Sequence, residues 1–200
     1  MNNVAEKKLQ ILFVGNSYTY YNRMPHEAFM EAAKEAGCAV EVTEVTHGGY
    51  KLCWFADPEN EEGKRLRGTV AGRHFDYAVL QEQSCNPVKD EEEFFAGVAG
   101  VKGLIDADRF VLYATWGRND GSPELEALGL TRQEMAEKLN EAYHEAGKRW
   151  GMAVAEVGKA FLCYPDKDAL YDPDKSHPSI IGSRLAAQVI FRKIAELERE

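Results

Sequence analysis

The sequence predicts an α/β fold, a three-layer α/β/α sandwich around a central five-stranded parallel sheet. Short apolar segments typical of buried strands alternate with helical segments of about ten residues or more, which are long enough to cross between parallel strands. With 200 residues, 44% of them hydrophobic, the chain can bury a large core. No repeat or linker interrupts the pattern, so we expect residues 1–200 to form a single domain.

Five segments have the pattern of β-strands, and they are predicted over residues 10–14, 39–46, 75–80, 110–115 and 152–157. The first is an apolar run that ends abruptly at Gly15, as buried strands of parallel sheets do. The second alternates Val40, Val42 and Val45 with polar residues, which predicts a strand near an edge of the sheet.

The segments between these strands have helical spacing and recognisable boundaries. Helices are predicted over residues 25–36, over a short stretch that ends near residue 72, and over 90–105, 132–150 and 180–197; residues 57–67 are charged and are expected to form a loop. Pro25 suits a first helical turn, Thr131 and Glu134 form a capping box, and Ser179 caps the last helix.

The overall charge narrows the classes of partner. A net charge of −9 argues against nucleic acid or an anionic membrane surface, since both favour clusters of Lys and Arg. No apolar run approaches the ~18 residues of a membrane span, and the N-terminal run is too short for a signal peptide. We therefore expect a cytoplasmic protein that acts on a small molecule. The sequence leaves the oligomeric state of the protein open.

The four cysteines are widely scattered and form no Cys-x-x-Cys pair, so neither a zinc site nor a disulfide framework is indicated. His26, His47, His74 and His144 show no paired metal-ligand spacing, and a metal site made of His47 and His177 is not expected. We expect neither a metal nor a cofactor.

A serine and a histidine–aspartate pair are the residues that indicate chemistry. Ser17 lies two residues beyond Gly15, at the carboxyl end of the first strand, where open α/β sheets place their active sites. Asp174 and His177 are separated by two residues, so a tight turn can bring the carboxylate to one ring nitrogen and leave the other for Ser17. Acyl transfer needs such a nucleophile, base and orienting carboxylate, and the sequence predicts these three residues as catalytic.

These motifs, in this order, resemble those of the SGNH (GDSL-type) hydrolase superfamily. The resemblance spans nearly the whole chain: Gly15-Asn16-Ser17 after the first strand, a Gly after the second, and Asp174-x-x-His177 before the last helix. It implies the flavodoxin-like SGNH hydrolase fold and an ester-cleaving activity. In that activity Ser17 attacks the carbonyl, His177 takes the proton and Asp174 orients the imidazole.

The resemblance also implies an oxyanion hole made of the backbone N–H groups of Ser17 and Gly49 and a side-chain amide. The family usually supplies that amide from an Asn in a Gly-x-Asn-Asp turn after the third strand, where this chain has Gln81-Glu82-Gln83-Ser84. Gln83 occupies the matching position and is one methylene longer. A literal Gly-Arg-Asn-Asp follows the fourth predicted strand, so Asn119 is the alternative donor and Gln83 the preferred one.

Four further residues are candidates for the substrate pocket. Trp116 and Tyr18 lie near predicted strand ends, where core packing competes with an aromatic wall for a sugar or acyl group. His47 precedes Gly48 and is expected to line the pocket. Arg118 suits either an anionic substituent or a surface salt bridge, and the sequence does not decide between them.

Two functions follow from these residues. The first is a serine esterase or acylhydrolase that cleaves a small or carbohydrate-linked ester, such as an acylated sugar, through an acyl-enzyme. The alternative is a catalytically weak or inactive ligand-binding or carbohydrate-binding module on the same fold, with the unusual Gln83 turn as the mark of lost activity. A nucleotide-binding domain is disfavoured, because no Gly-x-Gly-x-x-Gly follows the first strand.

Overall fold

A computed structural model describes residues 8–200, and the N-terminal residues considered for a signal peptide lie largely outside this range. Its strands are β1 (Leu9–Gly15), β2 (Val40–Thr46), β3 (His74–Leu80), β4 (Asp106–Tyr113) and β5 (Ala153–Ala155). All neighbouring strands are parallel, and their order in the sheet is β2-β1-β3-β4-β5. This is the predicted α/β class with a five-stranded parallel sheet, and β2 lies at an edge as expected.

Ten α-helices are present between residues 8 and 200: α1 (Ser17–Tyr20), α2 (Ala28–Glu35), α3 (Leu52–Ala56), α4 (Glu61–Val70), α5 (Asn86–Lys89), α6 (Glu91–Lys102), α7 (Pro123–Leu128), α8 (Arg132–Trp150), α9 (Val157–Cys163) and α10 (Ile180–Leu197). Two 3₁₀ turns cover Tyr21–Arg23 and Asp168–Leu170. The capping box of Thr131 and Glu134 and the Ser179 cap are both formed, as predicted.

Helices cover both faces of the sheet because successive strand residues point to opposite sides. Ile11 and Phe13 of β1 pack into a core shared with α2, α9 and α10, whereas Leu12 and Val14 pack into a second core with α3, α4, α6 and α8. The structure is therefore the predicted three-layer sandwich.

Several predicted boundaries were wrong. Pro25 lies in a turn, and α2 begins three residues later at Ala28. The charged segment expected as a loop contains most of α4. Asn60 caps this helix by accepting from the Glu62 N–H, and acidic residues in the first turn stabilise it through the helix dipole. The fourth strand begins at Asp106 rather than near residue 110. For α4 and the start of β4, the polar local composition hid an element that packing and strand pairing stabilise.

The register of the central strands aligns three loops at one edge of the sheet. Val14 of β1 is paired with Val45 of β2 on one side and with Leu80 of β3 on the other. The strand order reverses direction along the chain between β1 and β3, which is where open α/β sheets bind ligands. The loops after β1, β2 and β3 therefore converge at this point. Along residues 8–200, no helix is long and apolar enough to cross a membrane.

Candidate active site

The turn after β1 is fixed by buried hydrogen bonds. Asn16 caps α1 by accepting from the Tyr18 N–H (3.1 Å), its own N–H donates to Gln81 Oε1 (2.9 Å), and its amide donates to the Tyr50 carbonyl (3.0 Å). A Cβ on Gly15 would lie 2.7 Å from Gln81 Oε1, so only glycine permits this close approach. These contacts tie the turn carrying Ser17 to the loops after β2 and β3.

His177 lies between Ser17 and Asp174. Its Nε2 is 2.8 Å from Ser17 Oγ, and its Nδ1 is 2.5 Å from Asp174 Oδ2. Because a carboxylate can only accept, Nδ1 carries the proton and Nε2 is left to accept from the serine hydroxyl. The structure thus brings together the three residues that the sequence singled out, in the order that general-base activation of a serine requires.

The Asp174 carboxylate is held by its own turn. Its Oδ1 accepts from the backbone N–H groups of Ser176 and His177, both at 2.9 Å. Partial burial opposes ionisation, but the hydrogen bonds from His177 and from these N–H groups outweigh it, and the pKa of Asp174 lies below its usual value. The turn closes through Lys175, whose φ of 63° is in the left-handed region. The carboxylate is therefore charged and oriented towards the imidazole.

Tyr21 was not identified as a site residue from the sequence. Its ring stacks on the His177 imidazole, with centroids 4.5 Å apart and an interplanar angle of 20°. The neighbouring Asp172 carboxylate raises the pKa of the Tyr21 phenol above its usual value. The only sign of this role in the sequence was that Tyr21 lies four residues after Ser17. Tyr21 covers one face of the imidazole.

Two predicted pocket residues prove to be buried, which corrects the expectation of an aromatic wall. Trp116 is 0% exposed and Tyr18 is 3% exposed. The Trp116 ring is stacked between those of Tyr18 (4.5 Å) and Phe161 (4.2 Å), so its faces are unavailable to a substrate. The Tyr18 hydroxyl lies 2.7 Å from Ser176 Oγ, and Trp116 Nε1 donates to the Ser176 carbonyl (3.1 Å). Both aromatic residues support the loop that carries His177.

The other two pocket candidates also have protein partners. His47 is exposed, with its ring 4.1 Å from that of Tyr50 and its Nδ1 3.1 Å from Glu62. Arg118 is mostly buried and bonds to Ser84 Oγ (3.2 Å) and Glu124 (3.0 Å). The ion pair with Glu124 occupies the guanidinium that was considered for an anionic substituent.

Two backbone N–H groups are available as oxyanion donors. Ser17 is the first residue of α1, so its N–H has no partner within that helix. Gly49 lies in an exposed turn that the Tyr50 N–H closes on the His47 carbonyl (3.2 Å), and its φ of 72° favours glycine. No backbone acceptor for the Gly49 N–H occurs within the described part of the chain.

The Gln83 amide is held by its oxygen. Gln83 Oε1 accepts from the N–H groups of Cys85 (2.8 Å) and Asn86 (3.0 Å), which also fixes which end of the amide is the oxygen. Within residues 8–200, its Nε2 has no hydrogen-bond partner. Gln83 therefore presents an anchored amide with both donor hydrogens available.

Asn119, the alternative donor, is also held by its oxygen, and within the described residues its Nδ2 has no hydrogen-bond partner. Its Oδ1 accepts from Arg132 Nη1 (2.6 Å) and from the Asp120 N–H (2.9 Å), and its backbone N–H donates to the Lys175 carbonyl (2.8 Å). Asn119 thus braces the loop that carries Asp174 and His177. The choice between the two amides as oxyanion donor stays a prediction.

Glu82 is a second feature that the sequence did not reveal. It is 0% exposed although it lies in a polar turn, and burial raises the pKa of its carboxyl to about 8. Its own N–H donates to the Tyr143 hydroxyl (3.1 Å). The polar sequence around Glu82 gives no sign that its side chain is buried. Its partners, Leu52 and Tyr143, are distant in sequence.

Comparisons with known proteins identify the family. No protein-family model matches the chain, and no curated protein sequence matches it. It is similar to the solved structure of a candidate SGNH hydrolase from Slackia heliotrinireducens, with 30% identity, a TM-score of 0.80, and 94% of this chain and 100% of that chain covered. It also shares its fold with the lipase/acylhydrolase from Enterococcus faecalis (16% identity, TM-score 0.70, 94% and 96% covered). An acetyl xylan esterase from Geobacillus stearothermophilus is similar at 14% identity and a TM-score of 0.64, with 93% and 94% covered. The chain belongs to the SGNH hydrolase family.

Proposed function

We propose that the protein is a serine esterase or acylhydrolase that acts through an acyl-enzyme. The observation that carries the proposal is the position of His177, whose two ring nitrogens lie 2.8 Å from Ser17 Oγ and 2.5 Å from Asp174 Oδ2. A serine is activated for attack on a carbonyl when its hydroxyl contacts a base and that same base contacts a carboxylate.

The proposed reaction has two halves. In the first, Ser17 Oγ attacks the ester carbonyl while His177 Nε2 takes its proton, and the resulting imidazolium then protonates the leaving alcohol. In the second, His177 removes a proton from water as the water attacks the acyl-enzyme, and the imidazolium then returns that proton to Ser17 Oγ as the acid is released. Asp174 stays ionised throughout and stabilises the imidazolium, which its lowered pKa supports.

The tetrahedral intermediates of both halves carry a negative oxygen. We assign its stabilisation to the N–H groups of Ser17 and Gly49 and to Gln83 Nε2, each a donor without a protein acceptor among the described residues. Asn119 Nδ2 shares this property, and Gln83 is preferred because it follows β3, where the family has its Asn, whereas Asn119 follows β4. The anchored oxygen of Gln83 supports this role, because a pre-oriented donor needs no reorganisation during the reaction.

For the substrate, we propose a small or carbohydrate-linked ester. The support is the likeness of the fold to that of the acetyl xylan esterase and of a carbohydrate acetylesterase from Sinorhizobium meliloti. The alternative is a catalytically weak or inactive ligand-binding module. Gln83 favours it, since the longer side chain replaces the family's Asn donor.

A fluorophosphonate probe tests the proposal. We expect a covalent adduct on Ser17, mapped by peptide mass spectrometry, together with hydrolysis of p-nitrophenyl acetate. Both should be lost in the Ser17→Ala and His177→Ala variants. Absence of an adduct and of hydrolysis in the folded wild-type protein would favour the binding module instead.

A pair of amide variants tests the third donor. Gln83→Ala is expected to lower kcat on the order of 10²–10³-fold, as removal of an oxyanion donor does. Asn119→Ala is the matched control, and a larger loss in that variant than in Gln83→Ala would reverse the assignment.

A further inference from the structure

The Glu82 carboxyl joins two of the loops that meet at the site. Its Oε1 accepts from the Gln83 N–H at 2.6 Å, and its two oxygens lie 3.3 and 3.2 Å from the Leu52 N–H. Leu52 is fully buried and is the first residue of α3, three residues after Gly49. One buried side chain therefore holds the segment after the Gly49 turn to the backbone of Gln83.

The start of α3 has no side-chain cap from its own segment. Lys51, the residue that precedes α3, makes no side-chain cap bond to the helix, and its ammonium pairs with Glu93. The Glu82 carboxyl supplies the missing acceptor at this helix start. Without it, the Leu52 N–H would be a buried donor with no acceptor, which costs about 1–3 kcal/mol.

Burial of an acid at this place is unfavourable by itself. A hydrophobic or amide side chain would avoid the desolvation that raises the pKa of Glu82. An ionised carboxyl can accept at both of its oxygens, and here the Gln83 N–H and the Leu52 N–H belong to different segments, so one side chain holds the two together.

We propose that Glu82 is a positioning residue, which fixes the Gln83 donor relative to the Gly49 turn and so sets the width of the oxyanion hole. This inference rests on the proposed esterase function. Glu82 contacts neither substrate nor reacting atoms in this scheme. It acts through the backbone of Gln83, whose side chain is in turn anchored on Cys85 and Asn86.

Glu82→Gln is the informative variant. It keeps the size of the side chain and one acceptor oxygen, but it places an NH₂ donor where Oε2 accepts from the Leu52 N–H at 3.2 Å. At pH 9, where the wild-type carboxyl with its pKa of about 8 is ionised, we expect kcat on p-nitrophenyl acetate to fall about tenfold with KM changed less than about twofold, because the oxyanion forms only after substrate binding. Glu156→Gln is the matched control, since it makes the same chemical change at a surface carboxylate that bonds to His144 and Lys159.

A double-mutant cycle with Gln83→Ala separates positioning from general structural support. If Glu82 acts through the Gln83 donor, Glu82→Gln costs less than about threefold in the Gln83→Ala background, because the donor that it positions is already absent. Removing the Gln83 side chain leaves the backbone N–H that Glu82 holds, so the clamp itself is retained in that background.

Hydrogen exchange gives a second readout that needs no activity. The amide protons of Leu52 and Gln83 are expected to exchange at least about tenfold faster in folded Glu82→Gln than in the wild type. The same tenfold loss of kcat in both backgrounds, or unchanged exchange at both amides, would overturn the inference. If the wild-type protein hydrolyses no ester, the proposed function fails, and this inference fails with it. If the enzyme is active but the effects of Glu82→Gln and Gln83→Ala are additive, only this inference fails.

Discussion

The buried carboxyl of Glu82 predicts an unusual dependence of stability on pH. Burial raises its pKa from 4.5 to about 8, so the native protein keeps this proton at pH values where the unfolded chain has released it. Between these two values the native state binds more protons, and the free energy of unfolding falls as pH rises. The contribution is fully present below pH 4.5, is lost up to about pH 8, and is constant above that.

The size of the effect follows from the two pKa values. Each pH unit between them changes the free energy of unfolding by about 1.4 kcal/mol, and the side chain is fully buried, so no reduction for solvent screening applies. From pH 5 to pH 8 the wild type should lose on the order of 3 kcal/mol relative to Glu82→Gln, which carries no titrating group at this position.

Urea unfolding of both proteins at pH 5, 6, 7 and 8 measures this difference. All other titrating groups are common to the two proteins, so their contributions cancel in the comparison. Asp174 has a lowered pKa, and its contribution is lost only as pH falls below its usual value, outside this range. A difference between the two proteins that stays constant from pH 5 to pH 8 would show that Glu82 titrates normally and would refute the reasoning.

Three further predictions concern the site and its support. Asp174→Asn should lower kcat on the order of 10⁴-fold, because the amide favours the wrong tautomer of His177. Hydrolysis of p-nitrophenyl acetate measures this loss, and a loss below tenfold would contradict the prediction. Tyr21→Leu should lower kcat about 3- to 10-fold through loss of the stacked ring on the imidazolium, and Tyr21→Phe, which keeps the ring, should lose less. Gly158→Ala should destabilise the fold by about 1–3 kcal/mol in urea unfolding, because its Cβ would lie 2.2 Å from the Thr115 carbonyl oxygen; an unchanged midpoint would exclude this clash.

Local signals account for what could be predicted of the fold and the candidate site. Gly15 at the end of an apolar run located β1, and the capping box at Thr131 located the start of α8. The short spacing from Asp174 to His177 predicted their contact, since a turn of this length leaves few other arrangements. Each of these inferences depends on residues within a few positions of one another, where backbone geometry restricts the outcome.

The features that were missed depend on contacts between distant segments. Trp116 is buried because Phe161 and Tyr18, from different elements, stack on its two faces. Glu82 is buried because its acceptor oxygens meet the Leu52 N–H, 30 residues away in the chain. No periodicity or motif at these positions indicates such partners, so the sequence left the burial of Trp116 open and gave no sign of the burial of Glu82.

The hydrogen bonds of the site differ greatly in the length of chain that they close. Asp174 and His177 are three residues apart, whereas His177 and Ser17 are separated by 160 residues. The entropy cost of closing a loop grows with its length, so the contact between Asp174 and His177 can form early in folding. The contact between His177 and Ser17 can form only after α10 packs against the sheet. During refolding, we therefore expect recovery of reactivity at Ser17 to follow the docking of α10 rather than the formation of the sheet.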